Sequence, residues 1–239
     1  MILAVDCGNS RLKWGLHDRG RWVKTGSVPL SALARLNKAW KALPYVEKTV
    51  VANVAGRSVR QRLEAILSRR DARPVWVVAR RRQCGVRNGY LEPGQLGADR
   101  WAALIGARKM FRGPCLVVAS GTATTVDMLR GDGTFAGGMI LPGLELMKRV
   151  LADNTAGLPL SRGRFSRTPR STVDAIESGC LLAQVGAIER IFAALGPRAA
   201  CVLAGGAAAK IAPHLRIPVR RADNLVLEGL VRIAGETSK

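Results

Sequence analysis

Two short apolar runs constrain this chain more than any other feature, because each breaks at a glycine-containing turn and resumes in alternation. The first, residues 2–5 (Ile-Leu-Ala-Val), stops at Asp6-Cys7-Gly8-Asn9-Ser10, after which Leu12, Trp14 and Leu16 alternate with polar or small residues. Apolar runs of this length bounded by turn formers read as strands, and period-two alternation reads as a half-buried strand. The segment is therefore predicted to be a hairpin rather than the strand-to-helix step of a dinucleotide or Walker loop, and no G-x-x-x-x-G-K-[ST] occurs. The second run, 115–119, meets Ser120-Gly121-Thr122-Ala123-Thr124-Thr125 and continues as Val126-Asp127-Met128-Leu129, with Gly121 lying 113 residues after Gly8. The alternation slips by one between the copies. Even so, the pair predicts a duplicated α/β domain with two equivalent loops facing one cleft.

The intervening segments fit that plan. Residues 31–43 are predicted helical, with Ser31 as a cap and Leu33, Leu36, Trp40 and Leu43 on one face. A strand at 49–54, a helix at 58–68 and a strand at 75–79 come next, so mixed sheets covered by helices are expected. Residues 80–98 lose periodicity and hold Gly85, Gly89, Pro93, Gly94 and Gly97, and so long an irregular stretch is commonly functional. A helix is predicted from Asp99 to about Met110, a strand over 135–141, and a helix over 144–152. After an Arg/Ser/Pro/Gly-rich loop at 153–171 come a long helix from Thr172, a strand at 201–204 and a last helix capped by Asp223. The boundary falls near Phe111-Arg112-Gly113-Pro114, giving halves of 1–113 and 114–239.

Composition narrows the function. Hydrophobic residues make up 48% and charged residues 23% of the 239 residues, ordinary values for a folded protein. No apolar stretch is read as long enough to span a bilayer, and the opening residues lack the basic start of a secretory signal. A soluble, cytoplasmic protein without a membrane role is expected. The charge is lopsided, with 38 Lys and Arg against 17 Asp and Glu, a formal +21. Such a balance suits anionic partners. However, the basic residues are scattered among Arg69-Arg70, Arg80-Arg81-Arg82, Arg162/Arg164/Arg167/Arg170 and Arg220-Arg221, and aromatic residues are only 5%, which leaves few stacking platforms for nucleic acid. Cys7, Cys84, Cys115, Cys180 and Cys201 show no C-x-x-C spacing and read as reduced thiols. With His17 and His214 the only histidines, a zinc site is not expected.

Three segments can carry chemistry. Asp6-Cys7-Gly8-Asn9-Ser10 places a carboxylate at a strand end before a glycine that lets backbone N–H groups approach phosphate oxygens. Asp6 can hold hydrated Mg²⁺, and Lys13 can reach a phosphate. The same turn also suits plain local hydrogen bonding by Asp and Asn. The Ser120–Asp127 stretch repeats the chemistry, with an ordinary Thr-rich hairpin as the alternative. The third segment, Tyr90 to Arg100, brings Asp99 and Arg100 to a helix start, where Asp99 serves either as a cap or as a base facing a substrate hydroxyl.

Taken in order, Asp6-x-Gly8-Asn9-Ser10 with Lys13, Gly97-x-Asp99-Arg100, Gly121-Thr-Ala-x-Thr-x-Asp127, Gly137-Gly-x-Ile-x-Pro-Gly143, Ser171-Thr172-x-x-Ala-Ile-x-x-Gly179 and Gly205-Gly206 resemble the type III pantothenate kinases over essentially the whole chain. The resemblance implies a duplicated ribonuclease-H-like (actin-like ATPase) fold with its active cleft between halves, and ATP-dependent phosphorylation of pantothenate on the way to coenzyme A. It assigns ATP to Asp6, Cys7, Gly8, Asn9, Ser10, Arg11, Leu12, Lys13 and Thr122, and pantothenate to Tyr90, Gly97, Ala98, Asp99, Arg100 and Thr172. Asp99 is the implied proton acceptor, and Arg100 suits the substrate carboxylate. It also implies Mg²⁺, a homodimer and an activating monovalent cation, K⁺ or NH₄⁺. Ser10 stands where Thr is commoner. Ala119 replaces the Asp that helps many members bind the monovalent cation. The remaining alternative is a non-catalytic regulator or nucleic-acid-binding protein using its basic surface.

Overall fold

The first apolar run forms β1 (Ile2–Cys7) and returns antiparallel as β2 (Arg11–Asp18), with Asp6 opposite Lys13 and Cys7 opposite Leu12. This is the expected hairpin. In the computed structural model, which describes residues 1–69, 73–160 and 162–236, the chain continues through β3 (Arg21–Pro29), α1 (Arg35–Lys41), β4 (Lys48–Asn53), α2 (Arg57–Ser68) and β5 (Pro74–Trp76). The short hairpin β6 (Arg82–Gln83) and β7 (Val86–Asn88) comes next, then α3 (Ala98–Met110). Strands β8 (Cys115–Ser120), β9 (Ala123–Leu129) and β10 (Thr134–Pro142) lead to α4 (Leu144–Asp153) and α5 (Thr172–Phe192). Strand β11 (Ala200–Ala204), α6 (Ala208–Ile211), β12 (Val219–Arg221) and α7 (Leu225–Glu236) complete the order.

Two units form, Met1–Met110 with Asn224–Lys239, and Phe111–Asp223. The sequence reading divides the halves after 113, whereas here residues 224–236 lie with the first unit. There α7 packs on α3 so closely that a Cβ on Gly106 would meet the Leu225 carbonyl, and one on Gly229 the Ala102 carbonyl.

The first unit orders its strands β3-β2-β1-β4-β5, and within the second unit the order is β12-β11-β8-β9-β10. In each, three strands in succession are antiparallel, and two more join parallel to the first of them. The architecture is thus duplicated, as the resemblance implies. It also explains the slipped alternation. Residues 8–11 separate the closing pair Cys7 and Leu12, but only 121–123 separate Ser120 and Thr124. One residue fewer in the second turn shifts everything after it. By the same register Ala119, opposite Thr125, occupies the place that Asp6 holds in the first hairpin.

Leu3, Val5, Leu12, Trp14 and Leu16 pack with Leu36, Trp40 and Leu63 in the first core, and Leu116, Val118 and Val126 with Ile176, Val185 and Ile188 in the second. Several expectations need correction. The apolar face at 33–43 is buried as predicted, yet its first turn is a 3₁₀ turn (Leu30–Ala32) after Pro29, and α1 has no side-chain cap, so Ser31 is not one. The stretch 80–98 contains β6 and β7, joined by Cys84 and Gly85, both at positive φ. Such a two-residue turn normally announces itself with Asn-Gly or Asp-Gly. Strands β3 and β12 and helix α6 carry no periodic sequence signal because they are largely exposed or very short. Arg70 lies outside the described residues. Finally, Thr172–Leu195 is long and apolar enough by composition to cross a bilayer, contrary to the sequence reading. In this unit Ile176, Cys180, Leu181, Val185 and Ile188 of α5 are core residues.

Candidate active site

Parallel strands of an α/β sheet present ligands at their carboxyl ends, and β1 and β4 end at Asp6-Cys7 and Asn53. The Cys7 carbonyl accepts the Val54 N–H at 3.0 Å. Gly97 lies against this edge, since a Cβ there would come within 3.7 Å of Val54 and 2.6 Å of Asp99 Oδ1. The start of α3 is thereby brought to the strand ends. Asp99 is the second residue of α3 and not its cap, and its Oδ1 accepts the Arg100 N–H at 2.8 Å.

The two carboxylates share an unusual setting. Asp6 is pushed up to about 7, first by burial and then by the negative charge of Asp99, against the pull of Lys13. Its Oδ1 is buried with no hydrogen-bond partner among the described residues. Burial also raises Asp99, opposed by the Arg100 N–H and the Arg100 charge. Water is scarce here and like charges oppose each other, so protonation or a cation is favoured.

Arg100 is only 6% exposed. Its Nη1 donates to Tyr90 Oη at 2.9 Å, and its guanidinium lies 5.6 Å from the Tyr90 ring centre. Tyr90 is placed by Asn88, whose Oδ1 accepts the Tyr90 N–H at 3.0 Å and whose Nδ2 donates to the Pro93 carbonyl at 3.1 Å. Gln83 accepts from Trp101 Nε1 at 3.0 Å, tying β6 to α3. Sequence reasoning missed Gln83 and Asn88 as anchors. Nothing in the local sequence signals that role, because the burial of both amides arises only when β6 and β7 pack in the folded chain.

In the first turn the Gly8 N–H donates to the Arg11 carbonyl at 3.1 Å, and Asn9 and Ser10 are exposed. Arg11 Nε donates to Ser27 Oγ at 3.1 Å. Cys7 and Leu12 are fully buried core residues, and burial pushes the Cys7 thiol up to about 12, so neither side chain is available to a ligand. Gly8 has no positive φ, and a Cβ there would meet nothing nearer than 3.5 Å. Internal packing does not demand glycine at this position.

The second unit holds Thr122 and Thr172. Thr122 is exposed in the turn, and its carbonyl accepts the Gly143 N–H at 2.9 Å. Gly121 resembles Gly8, with a prospective Cβ 3.7 Å from the Ala123 carbonyl. Gly143 and Gly205 are different: a Cβ on either would strike backbone, the Gly121 carbonyl and the Ser120 carbonyl respectively. Thr172 is the exposed first residue of α5, whose N-cap Ser171 accepts the Asp174 N–H at 3.3 Å.

Among the described residues no group of three or more His, Cys, Asp and Glu could hold a metal. Mg²⁺ characteristically needs only one or two carboxylates plus waters and substrate phosphates, and the buried, unpartnered Asp6 oxygen fits that requirement. The monovalent-cation position does not fit in the same way, because Ala119 supplies a methyl group between Thr125 and Ala204 in the sheet.

Comparison with known proteins adds family and fold. The profile of the type III pantothenate kinases matches residues 2–194. A type III pantothenate kinase of Aromatoleum aromaticum (strain DSM 19018 / LMG 30748 / EbN1) is 49% identical over 238 residues, covering 99% of this chain and 98% of that protein. Among solved structures, a Campylobacter jejuni protein named for the Baf family of transcriptional activators superposes with a TM-score of 0.67 at 19% identity, covering 99% and 98% of the two chains. Component A of (R)-2-hydroxyglutaryl-CoA dehydratase from Acidaminococcus fermentans gives 0.60 at 15%, covering 100% and 99%. The fold is that of the actin-like ATPases and sugar kinases.

Proposed function

This chain belongs to the type III pantothenate kinase family, which phosphorylates pantothenate with ATP in coenzyme A biosynthesis, and we propose how its own residues divide that work. Asp99 accepts the proton of the attacking hydroxyl. Its burial favours a base nearer neutrality than an ordinary carboxylate, and the Arg100 N–H aims one oxygen. Phosphoryl transfer depends on positioning and charge neutralisation more than on covalent chemistry, so an orienting carboxylate is the part this step requires. Arg100, already bonded to Tyr90, takes the pantothenate carboxylate, and Tyr90, Gly97, Ala98 and Thr172 serve pantothenate binding. The turn from Asp6 to Lys13 and Thr122 bind ATP. Mg²⁺ bound with ATP neutralises phosphate charge, and Asp6 is the residue that holds it.

The observation that carries this reading is the pair of raised carboxylates at the end of β1 and the start of α3, one with an oxygen buried and without a partner among the described residues. Asp99→Asn is expected to keep the fold and ATP binding while turnover falls roughly 10²-fold or more. Arg100→Ala is expected to raise the KM for pantothenate and leave that for ATP unchanged. Near-normal turnover in the first variant, or an unchanged pantothenate KM in the second, overturns the corresponding role.

Because Ala119 offers no carboxylate, other oxygens would have to hold K⁺ or NH₄⁺, and equal turnover in K⁺, NH₄⁺ and Na⁺ is the expected outcome. From family membership we extend the reading to a cytoplasmic homodimer. Light scattering that finds a monomer at assay concentration rejects the dimer.

A further inference from the structure

The turn at Ser120, Gly121 and Thr122 is held from two sides. Gly205 backs onto the Ser120 carbonyl, which also accepts the Ala207 N–H at 3.1 Å. On the other side Gly143 backs onto the Gly121 carbonyl and donates its N–H to the Thr122 carbonyl at 2.9 Å. Gly143 lies between the last residue of β10, Pro142, and the first turn of α4. Its position is therefore set by the contacts that fix those two.

One side chain fixes both. Gln184, on the buried face of α5 and fully inaccessible to solvent, donates from Nε2 to the Pro142 carbonyl at 2.8 Å. The same nitrogen lies 3.2 Å from Met147 Sδ, and the Met147 N–H donates to the Gly143 carbonyl at 2.9 Å. The amide thus braces the junction before and after the glycine. Core filling does not account for this choice. Gln184 Oε1 is buried without a partner among the described residues, a desolvation penalty that leucine or methionine would avoid while occupying similar space.

We infer that Gln184 is a positioning residue for the nucleotide: its amide holds the Pro142–Gly143 junction, and that junction sets where Gly121 and Thr122 stand. The role rests on the assignment of Thr122 to ATP. Gln184 touches no reacting atom and acts only through the backbone of the turn. The helix that carries it begins at Thr172, so substrate contact and turn support reside on one rigid element.

The test is a split between substrates. Gln184→Met removes the donor at nearly constant volume, and the KM for ATP is expected to rise about tenfold, the scale of one lost hydrogen bond. The KM for pantothenate should stay within twofold, and circular dichroism should remain that of the parent. A folded Gln184→Met enzyme with an unchanged ATP KM, or with both KM values raised together, overturns the inference. If this variant does not fold, Gln184→Asn, which keeps the amide but withdraws it by one methylene, is measured by the same split and the same criteria. Thr122→Ala runs beside them. If it leaves ATP binding intact, the nucleotide assignment itself has failed; if it weakens ATP binding while Gln184 variants do not, only the positioning role is wrong.

Discussion

Carboxylates seldom give up water unless other polar groups take its place, and Asp6 Oδ1 has no such substitute among the described residues. The protonated form of Asp6 is accordingly favoured in the folded chain, with the carboxyl raised from 3.8 to about 7. Between those values the native state holds a proton that the unfolded chain has released. The stabilisation is therefore complete below about pH 4 and is lost as pH rises through about 7, amounting to a few kcal/mol at most. Asp99, raised as well, acts in the same direction. The Tm of the ligand-free protein is expected to fall from pH 5 to pH 8, and Asp6→Asn, neutral throughout, should flatten that slope. Thermal melts of the two proteins at both pH values check this, and an equal slope in the variant assigns the effect elsewhere. Asp6 and Asp99 were legible as acids at element ends. Their mutual influence was not, because more than ninety residues separate them in the chain.

At the scale of elements, the glycines divide by what surrounds them. Gly8→Ala and Gly121→Ala have room, with nothing nearer than 3.5 and 3.7 Å, so stability should change by less than about 0.5 kcal/mol while ATP binding weakens. Gly143→Ala would drive a methyl into the Gly121 carbonyl, and a loss of about 1–3 kcal/mol is expected. Urea denaturation with calorimetric ATP titration separates the two classes, and a Gly8→Ala protein with parental ATP affinity removes the phosphate role of that turn. Strong periodicity made α2 and the hairpin β1–β2 readable. It failed for β3, whose side chains are mostly exposed, and for β6–β7, where Cys84 takes a positive φ that sequence rarely signals. Cys84 is held there by Glu236, whose Oε1 accepts its N–H at 2.9 Å from the far end of the chain.

Over the whole molecule the net charge of +21 is the feature least used by the chemistry. Arg80, Arg81, Arg82 and Arg87 are all exposed around the β6–β7 hairpin. Charges on such a surface are screened beyond about 8 Å at physiological salt, so they assist encounter with anions more than transfer itself. Replacing Arg80, Arg81 and Arg82 together with Gln should leave kcat and both KM values within about twofold in 150 mM salt. A tenfold loss of kcat would mean that this hairpin serves the reaction directly. Salt-sensitive nucleic-acid binding lost in the same variant would give the surface a second use, without touching the kinase assignment.

Local residue order alone determined that strands meet glycine turns twice, that acids stand at positions 6 and 99, and that the ordered motifs are those of a pantothenate kinase. Those are properties of neighbouring residues, which propensity and spacing encode directly. Tertiary structure decided that α7 returns to the first unit, that the charge of Asp99 reaches Asp6, that Ala119 holds in the second hairpin the place of Asp6 in the first, and that Gln184 braces the Pro142–Gly143 junction. Each of these depends on segments remote in sequence displacing water from one another, and burial of that kind exists only once the chain has folded.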